Sequence, residues 1–209
     1  MPFLELFNFQ SSLIFILIVI INLLILNYRN NFAEYLGILD YPNDRKIHSH
    51  PTPLVGGICI FATILIALIS IFFESLISTN KLIIYLLFYI IFFVVGLWDD
   101  AKTLSPKIKT LIIIVTVISL IPFESGFVIK ELIFKSTNKE INLGNFSFLF
   151  TIFCIFSLYN ALNFIDGYNG SATSIIIFWT FFLLIKNPNL LYLFLIFSMI
   201  LIFFYNVRG

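Results

Sequence analysis

Long runs of apolar residues without a charged residue in their middles constrain this chain more than any other feature. Seven can be placed, at roughly 11–28, 53–73, 82–98, 109–122, 147–165, 171–186 and 190–206. Crossing a bilayer core takes about 20 apolar residues in a helix. Lipid offers no partners to free backbone groups, so each span must satisfy its own hydrogen bonds. Membrane-barrel strands alternate apolar and polar residues, whereas these runs are apolar on every side. The sequence therefore predicts an all-α polytopic membrane protein of about seven transmembrane helices in one domain, residues 1–209. Charged residues make up 11% of the chain, less than half of the roughly 25% of soluble proteins, which excludes a water-soluble domain.

The formal net charge of +1 gives no basis for a nucleic-acid partner. Cys59 and Cys154 both fall inside spans, where a thiol behaves as a small hydrophobe. The N-terminus has no basic stretch and no small-residue cleavage site, so 11–28 reads as a retained span. With the N-terminus outside, the inner loops hold Arg29, Arg45, Lys46, Lys102, Lys107, Lys109 and Arg208. The outer loops hold Lys81, Lys130, Lys135, Lys139 and Lys186, three of them in the long loop 123–146. The positive-inside bias favours this orientation. Loop 123–146 carries apolar stretches around a turn at 136–139, which reads as a small external hairpin or as a segment skimming the headgroups. The triplets starting at Asn145 and Asn169 match the glycosylation pattern, but such short matches are usually chance.

In that orientation Asp40, Asp44, Asp99, Asp100 and Asp166 all lie on the cytoplasmic side, at or just past the ends of apolar runs. Asp99 and Asp100 close the third run. Adjacent carboxylates repel each other unless a cation lies between them, and acids at a helix C-terminus oppose its dipole. The pair is either a solvated helix end or a cation site, and phosphoryl transfer commonly supplies Mg2+ to such oxygen donors. Asn160, Asn163 and Asp166 recur every three residues, so a helix brings them to one face. They are either polar contacts between helices or ligands for a metal or substrate. Gly167 and Gly170 follow, where the chain leaves the membrane. Between Asp40 and Gly57, Arg45, Lys46 and His48 offer phosphate-binding donors. That stretch reads equally as a topology signal meeting anionic lipid. Lys107 and Lys109 open the next run as topology markers or diphosphate contacts. Together these groups suit a reaction between a nucleotide-activated group and a lipid phosphate at the membrane surface.

Three stretches resemble one known family: LGILDYPNDRKIHSHPTPLVGG (36–57), VVGLWDDAKTLSPKIK (94–109) and NALNFIDGYNG (160–170). They occur in family order for the polyprenyl-phosphate N-acetylhexosamine-1-phosphate transferases (WecA/MraY type, glycosyltransferase family 4). The resemblance implies transfer of a sugar-1-phosphate, of the GlcNAc type, from a UDP-N-acetylhexosamine to undecaprenyl phosphate in cell-envelope glycan synthesis, releasing UMP. It implies Mg2+, with Mn2+ as the alternative, at the cytoplasmic face of a bacterial inner membrane, in a chain compatible with a homodimer. Asp99, Asp100 and Asp166 match catalytic positions, with Asp99 the favoured base; a covalent aspartyl route is the alternative. Asn163 and Asp99 match metal ligands. Asn169, Asn160, Arg45, Lys46, His48, Lys107 and Lys109 are the expected substrate contacts.

Two departures accompany the match. Asn169 stands where many relatives carry a second aspartate, and Ser171 replaces the usual leucine. Relatives continue past a span like 190–206 into an FLGDSG-like motif with a metal-binding aspartate, followed by a sugar-gripping loop. The 209 residues alone are therefore expected to be an incomplete, inactive portion. The competing expectations are an inactive remnant serving as a membrane scaffold, and a transporter. Carriers place ionisable residues near mid-membrane, and no run here does.

Overall fold

The computed structural model describes residues 8–41, 51–165 and 170–208, with side chains for all of these except 125, 164, 165 and 206–208. It is a bundle of helices: α1 (Phe9–Asn27), α2 (Arg29–Leu36), α3 (Gly56–Phe73), α4 (Thr79–Lys102), α5 (Pro106–Leu120), α6 (Ser147–Ile165), α7 (Ser171–Lys186) and α8 (Leu190–Arg208). Five have the length and apolar character to cross a membrane: α1, α3, α4, α5 with its 3-10 extension to Phe123, and α6 with its leading turn from Gly144. The chain is a multi-pass membrane protein. The expectation of about seven spans is met in part. The segments at 171–186 and 190–206 are helical and apolar, but α7 has 16 residues and reaches only about 24 Å.

Local chemistry sets the ends. At α1, Asn8 and Ser11 cap each other's backbone N–H groups, at 2.7 and 2.9 Å. Ser78 and Ser105 cap α4 and α5, and Pro106 follows Ser105 at the first helical position, where its missing N–H costs nothing. The eight-residue α2 was not foreseen, because its polar stretch carries no span signal. It ends at Gly37, whose φ of +68° is a left-handed cap.

Of the three packing groups among the described residues, two position the site, and the third joins Ile18, Ala67 and Phe194 of α1, α3 and α8. In the first, Ile25, Leu26, Ala33, Ile38, Val55, Cys59 and Ile202 join α1, α2, α3 and α8. Gly56 allows α3 to approach α8 closely, since a Cβ there would meet Ile202 Cγ2 at 3.3 Å. In the second, Ile113 and Val117 of α5 and Ile121 of its 3-10 extension pack against Phe88 and Phe92 of α4 and Phe148, Ile152, Ile155 and Tyr159 of α6. Phe61 and Phe93 stack at 4.0 Å and join α3 to α4.

A polar cluster on α1, α3 and α8 was also not foreseen. The fully buried Asn22, Thr63 and Ser198 meet from α1, α3 and α8. Asn22 Nδ2 donates to Ile18 O (3.0 Å), Thr63 Oγ1 (2.9 Å) and Ser198 Oγ (3.2 Å), and the two hydroxyls lie 2.7 Å apart.

These contacts order the ends of the bundle. Tyr205 of α8 donates to Asn27 Oδ1 at the end of α1 (3.3 Å), and Ile202 meets the start of α3. Leu97 of α4 joins the same cluster. One end of the molecule thus collects the C-terminal ends of α1, α4, α6 and α8 and the N-terminal ends of α3, α5 and α7.

The opposite end carries the foreseen hairpin, β3 (Glu131–Phe134) paired antiparallel with β4 (Lys139–Asn142), with Leu132 opposite Ile141. Asn138 takes the left-handed turn position at φ +48°. The Thr151 hydroxyl of α6 accepts the Ile129 N–H at 2.9 Å and ties the hairpin's lead-in to the bundle.

Candidate active site at the aspartate end

Asp99 lies inside the last turn of α4, because the helix runs one turn past the apolar segment to Lys102. Thr103 then turns left-handed at φ +43°, its N–H still bonded to Asp99 O at 2.8 Å. That reversal delivers the Leu104 N–H to Asp99 Oδ1 at 3.0 Å. Ser105 and Pro106 start α5 at once, so Lys109 comes back over the end of α4 and its ammonium donates to Asp99 Oδ2. Both side chains of this ion pair are part-buried, 17% exposed for Lys109 and 24% for Asp99. Both carboxylate oxygens of Asp99 are therefore engaged. Asp100, one residue and about 100° further round the helix, is exposed.

The third element is α6. The Lys109 ammonium lies 5.8 Å from the centroid of the Tyr159 ring. The Tyr159 hydroxyl is buried and makes no hydrogen bond among the described residues. Asn163 follows one helical turn later and is exposed. Asn160 is half-buried, and its Nδ2 donates to Phe156 O of its own helix at 2.9 Å, a bond that holds the amide against α6.

Asp40 reaches the same end by another route. It sits in β1 (Leu39–Asp40), paired with β2 (Thr52–Pro53) in the register Asp40 to Thr52. β1 packs beside α4. This two-rung stem fixes both flanks of the intervening loop.

Of the residues expected from sequence, Asp99, Asp100, Lys107, Lys109, Asn160 and Asn163 thus fall at one end of the bundle. Asp99 and Lys109 are in contact, and Lys107 is exposed on the first turn of α5. Arg45, Lys46, His48, Asp166 and Asn169 lie outside the described residues. Among the described residues no three of His, Cys, Asp and Glu converge as a metal cluster. Sequence reasoning missed Tyr159. The available signal was its place four residues before Asn163, which puts both on one helical face.

The family model for glycosyl transferase family 4 matches residues 82–208. The undecaprenyl-phosphate alpha-N-acetylglucosaminyl 1-phosphate transferase of Thermotoga maritima is 32% identical over 147 residues, covering 70% of this chain and 43% of that protein. The enzyme of the same description from Yersinia pestis is 30% identical over 142 residues, 66% of this chain and 36% of that protein. A probable undecaprenyl-phosphate N-acetylglucosaminyl 1-phosphate transferase of Bacillus subtilis is 26% identical over 143 residues, 68% and 38% of the two chains. The chain thus spans less than half the length of these relatives. No solved structure matches it. The matched region takes in α4 to α8, with the Asp99–Lys109 pair and the Tyr159–Asn163 turn inside it, and the chain belongs to glycosyl transferase family 4.

Proposed function

We propose that this chain forms the catalytic face of an enzyme that moves a sugar-1-phosphate, of the N-acetylglucosamine type, from a UDP-sugar to undecaprenyl phosphate, with release of UMP. The observation that carries this reading is the contact of Asp99 with Lys109 beside Tyr159 of α6, at one end of a membrane bundle, with Asn163 one turn further along that helix. That end is the cytoplasmic one. By sequence its loops hold Arg29, Arg45, Lys46, Lys102, Lys107, Lys109 and Arg208, seven cations against five at the far end, and the positive-inside rule assigns the richer side to the cytoplasm.

The donors at this end, the Asp99 and Asp100 carboxylates and the Asn163 amide oxygen, are hard oxygen ligands of the kind Mg2+ takes, or Mn2+ in its place. Such an ion, when bound, supplies neutralising charge for a diphosphate. The chain's own groups do the rest. Asp99, held in place by the Leu104 N–H, accepts the proton of the acceptor lipid phosphate. The freed phosphate oxygen attacks the phosphorus that bears the sugar. The bond from that phosphorus to the bridging oxygen breaks, and UMP leaves with the electron pair. Lys109, which turns back over α4, lies where a cation can hold the diphosphate, and Lys107, exposed on the same first turn of α5, adds positive charge at this end. Binding lipid and nucleotide substrate at a membrane surface suits a site at the ends of spans rather than at mid-membrane.

The test is UMP release from UDP-GlcNAc and undecaprenyl phosphate by membranes expressing the complete reading frame. Asp99→Asn keeps size and removes the charge, and should lower turnover by about 10²- to 10⁴-fold, the range for a lost acid–base group. Membrane insertion should be unchanged. Near-normal turnover in the variant would refute the assigned role.

A further inference from the structure

The proposed reaction gives Asp99 to a divalent ion and a lipid phosphate, yet in the structure a cation of the chain's own occupies it. The Lys109 ammonium sits on Oδ2, beside a second carboxylate one residue on. Without a metal, such a cation relieves the repulsion between adjacent acids. A divalent ion on Oδ2 repels an ammonium already there, so binding of the ion favours displacement of the lysine. The pair is part-buried, and an ammonium pushed off its carboxylate there gains from a new partner. One stands ready. The Tyr159 ring is 5.8 Å from Nζ, and its buried hydroxyl already lies close enough to act on the ammonium while no other described residue uses it.

We propose that Lys109 is a tethered stand-in for the divalent cation and that Tyr159 is the positioning residue that receives it. When an ion takes Asp99, the ammonium moves across to Tyr159, donating to the hydroxyl and facing the ring. Lys109 then remains on the first turn of α5, at the edge of the site, rather than swinging into solvent. The long, flexible lysine stem suits this exchange better than the rigid fork of an arginine. Tyr159 touches no reacting atom. It acts through where it holds Lys109. This inference rests on the reading of Asp99 as a cation ligand.

The experiment is a titration of the purified full chain in lipid nanodiscs with Mn2+ alone, following free Mn2+ by electron paramagnetic resonance. Lys109→Met removes the competitor and should tighten Mn2+ binding about three- to tenfold. Tyr159→Leu removes the receiving site and should weaken binding about two- to fivefold, the worth of a cation–ring contact, with Tyr159→Phe in between. In the Lys109→Met background, Tyr159→Leu should change nothing. Equal weakening with and without Lys109 would mean that Tyr159 only supports the fold, and the inference would be wrong. So would a Lys109→Met variant whose affinity is unchanged or lower. Tyr159→Phe keeps the ring and its packing, so the coupling can be read even where the leucine variant misfolds. Mn2+ binding that survives Asp99→Asn, or is absent from the native chain, removes the cation-site reading and this inference with it. Asp99-dependent binding without Lys109–Tyr159 coupling removes only the inference.

Discussion

The buried cluster of Asn22, Thr63 and Ser198 makes an asymmetric prediction about bundle stability. Thr63 is its hub. Its hydroxyl bonds to Cys59 O on its own helix (2.9 Å), accepts from Asn22, and lies 2.7 Å from Ser198. Thr63→Val is nearly isosteric, so it opens no cavity, but it removes both of the hydroxyl's interhelical bonds. Such bonds are worth about 0.6 kcal/mol each within membranes, with a maximum near 1.7. The expected cost is therefore about 1–2 kcal/mol. Asn22→Leu also removes two interhelical bonds, to Thr63 and Ser198. It deletes as well the Asn22 carbonyl oxygen, which is buried and makes no hydrogen bond among the described residues. An unsatisfied buried polar atom costs about 1–3 kcal/mol, so its removal offsets the loss. Thr63 and Ser198 still satisfy each other. Asn22→Leu should then change stability by less than about 0.5 kcal/mol, the sum of terms of opposite sign. The assay is reversible unfolding in mixed micelles with increasing SDS fraction, followed by circular dichroism. If Asn22→Leu proved more costly than Thr63→Val, the amide rather than the threonine would be the hub, and the reasoning would fail.

Three further outcomes are expected. Thr103 is exposed and left-handed at φ +43°, a region that β-branched residues resist and asparagine tolerates, so Thr103→Asn should stabilise the chain by about 0.5 kcal/mol in the same assay. Glu124 is buried, accepts the Gly126 N–H at 3.2 Å and pairs with the half-exposed Lys81 at 3.4 Å. Glu124→Ala should cost about 1–2 kcal/mol by leaving that N–H without its partner, whereas Lys81→Ala should cost less than about 1 kcal/mol; equal losses would show that the ion pair, not the backbone bond, matters. With Cys59 and Cys154 replaced, a membrane-impermeant maleimide added to intact cells should label Asn138→Cys and leave Lys107→Cys unlabelled, and the reverse pattern would invert the orientation.

What could be read from the sequence followed from cost. A carboxylate near the membrane is expensive, so the positions of Asp99 and Asp100 at the end of an apolar run were conspicuous, and the helix simply carries them one turn further than hydropathy alone indicates. The hairpin around Asn138 was legible for a similar reason, as polar turn residues interrupted apolar stretches. Neutral groups send a weaker signal. Asn22, Thr63 and Ser198 sit singly inside runs whose mean hydropathy they barely alter, and only the packing of three helices reveals that they meet. Tyr159 was hidden by the same averaging, since one tyrosine among many aromatic residues looks like filling for the spans.

The Asp99–Lys109 pair lay between these cases. Each residue was visible as a charge, but the sharp reversal at Thr103, Leu104 and Ser105 that brings them together has no hydropathy signature. That reversal also explains why the two lysines of α5 differ. Lys107 and Lys109 are two residues apart, so they project about 200° apart around the helix. Only Lys109 can turn back over α4, while Lys107 faces outward. A lysine that merely marked topology would have no reason to be buried against a carboxylate, since a bilayer surface satisfies it at no desolvation cost. The burial of Lys109 against Asp99 therefore supports the proposed site role for this lysine, whereas the exposed Lys107 fits either reading.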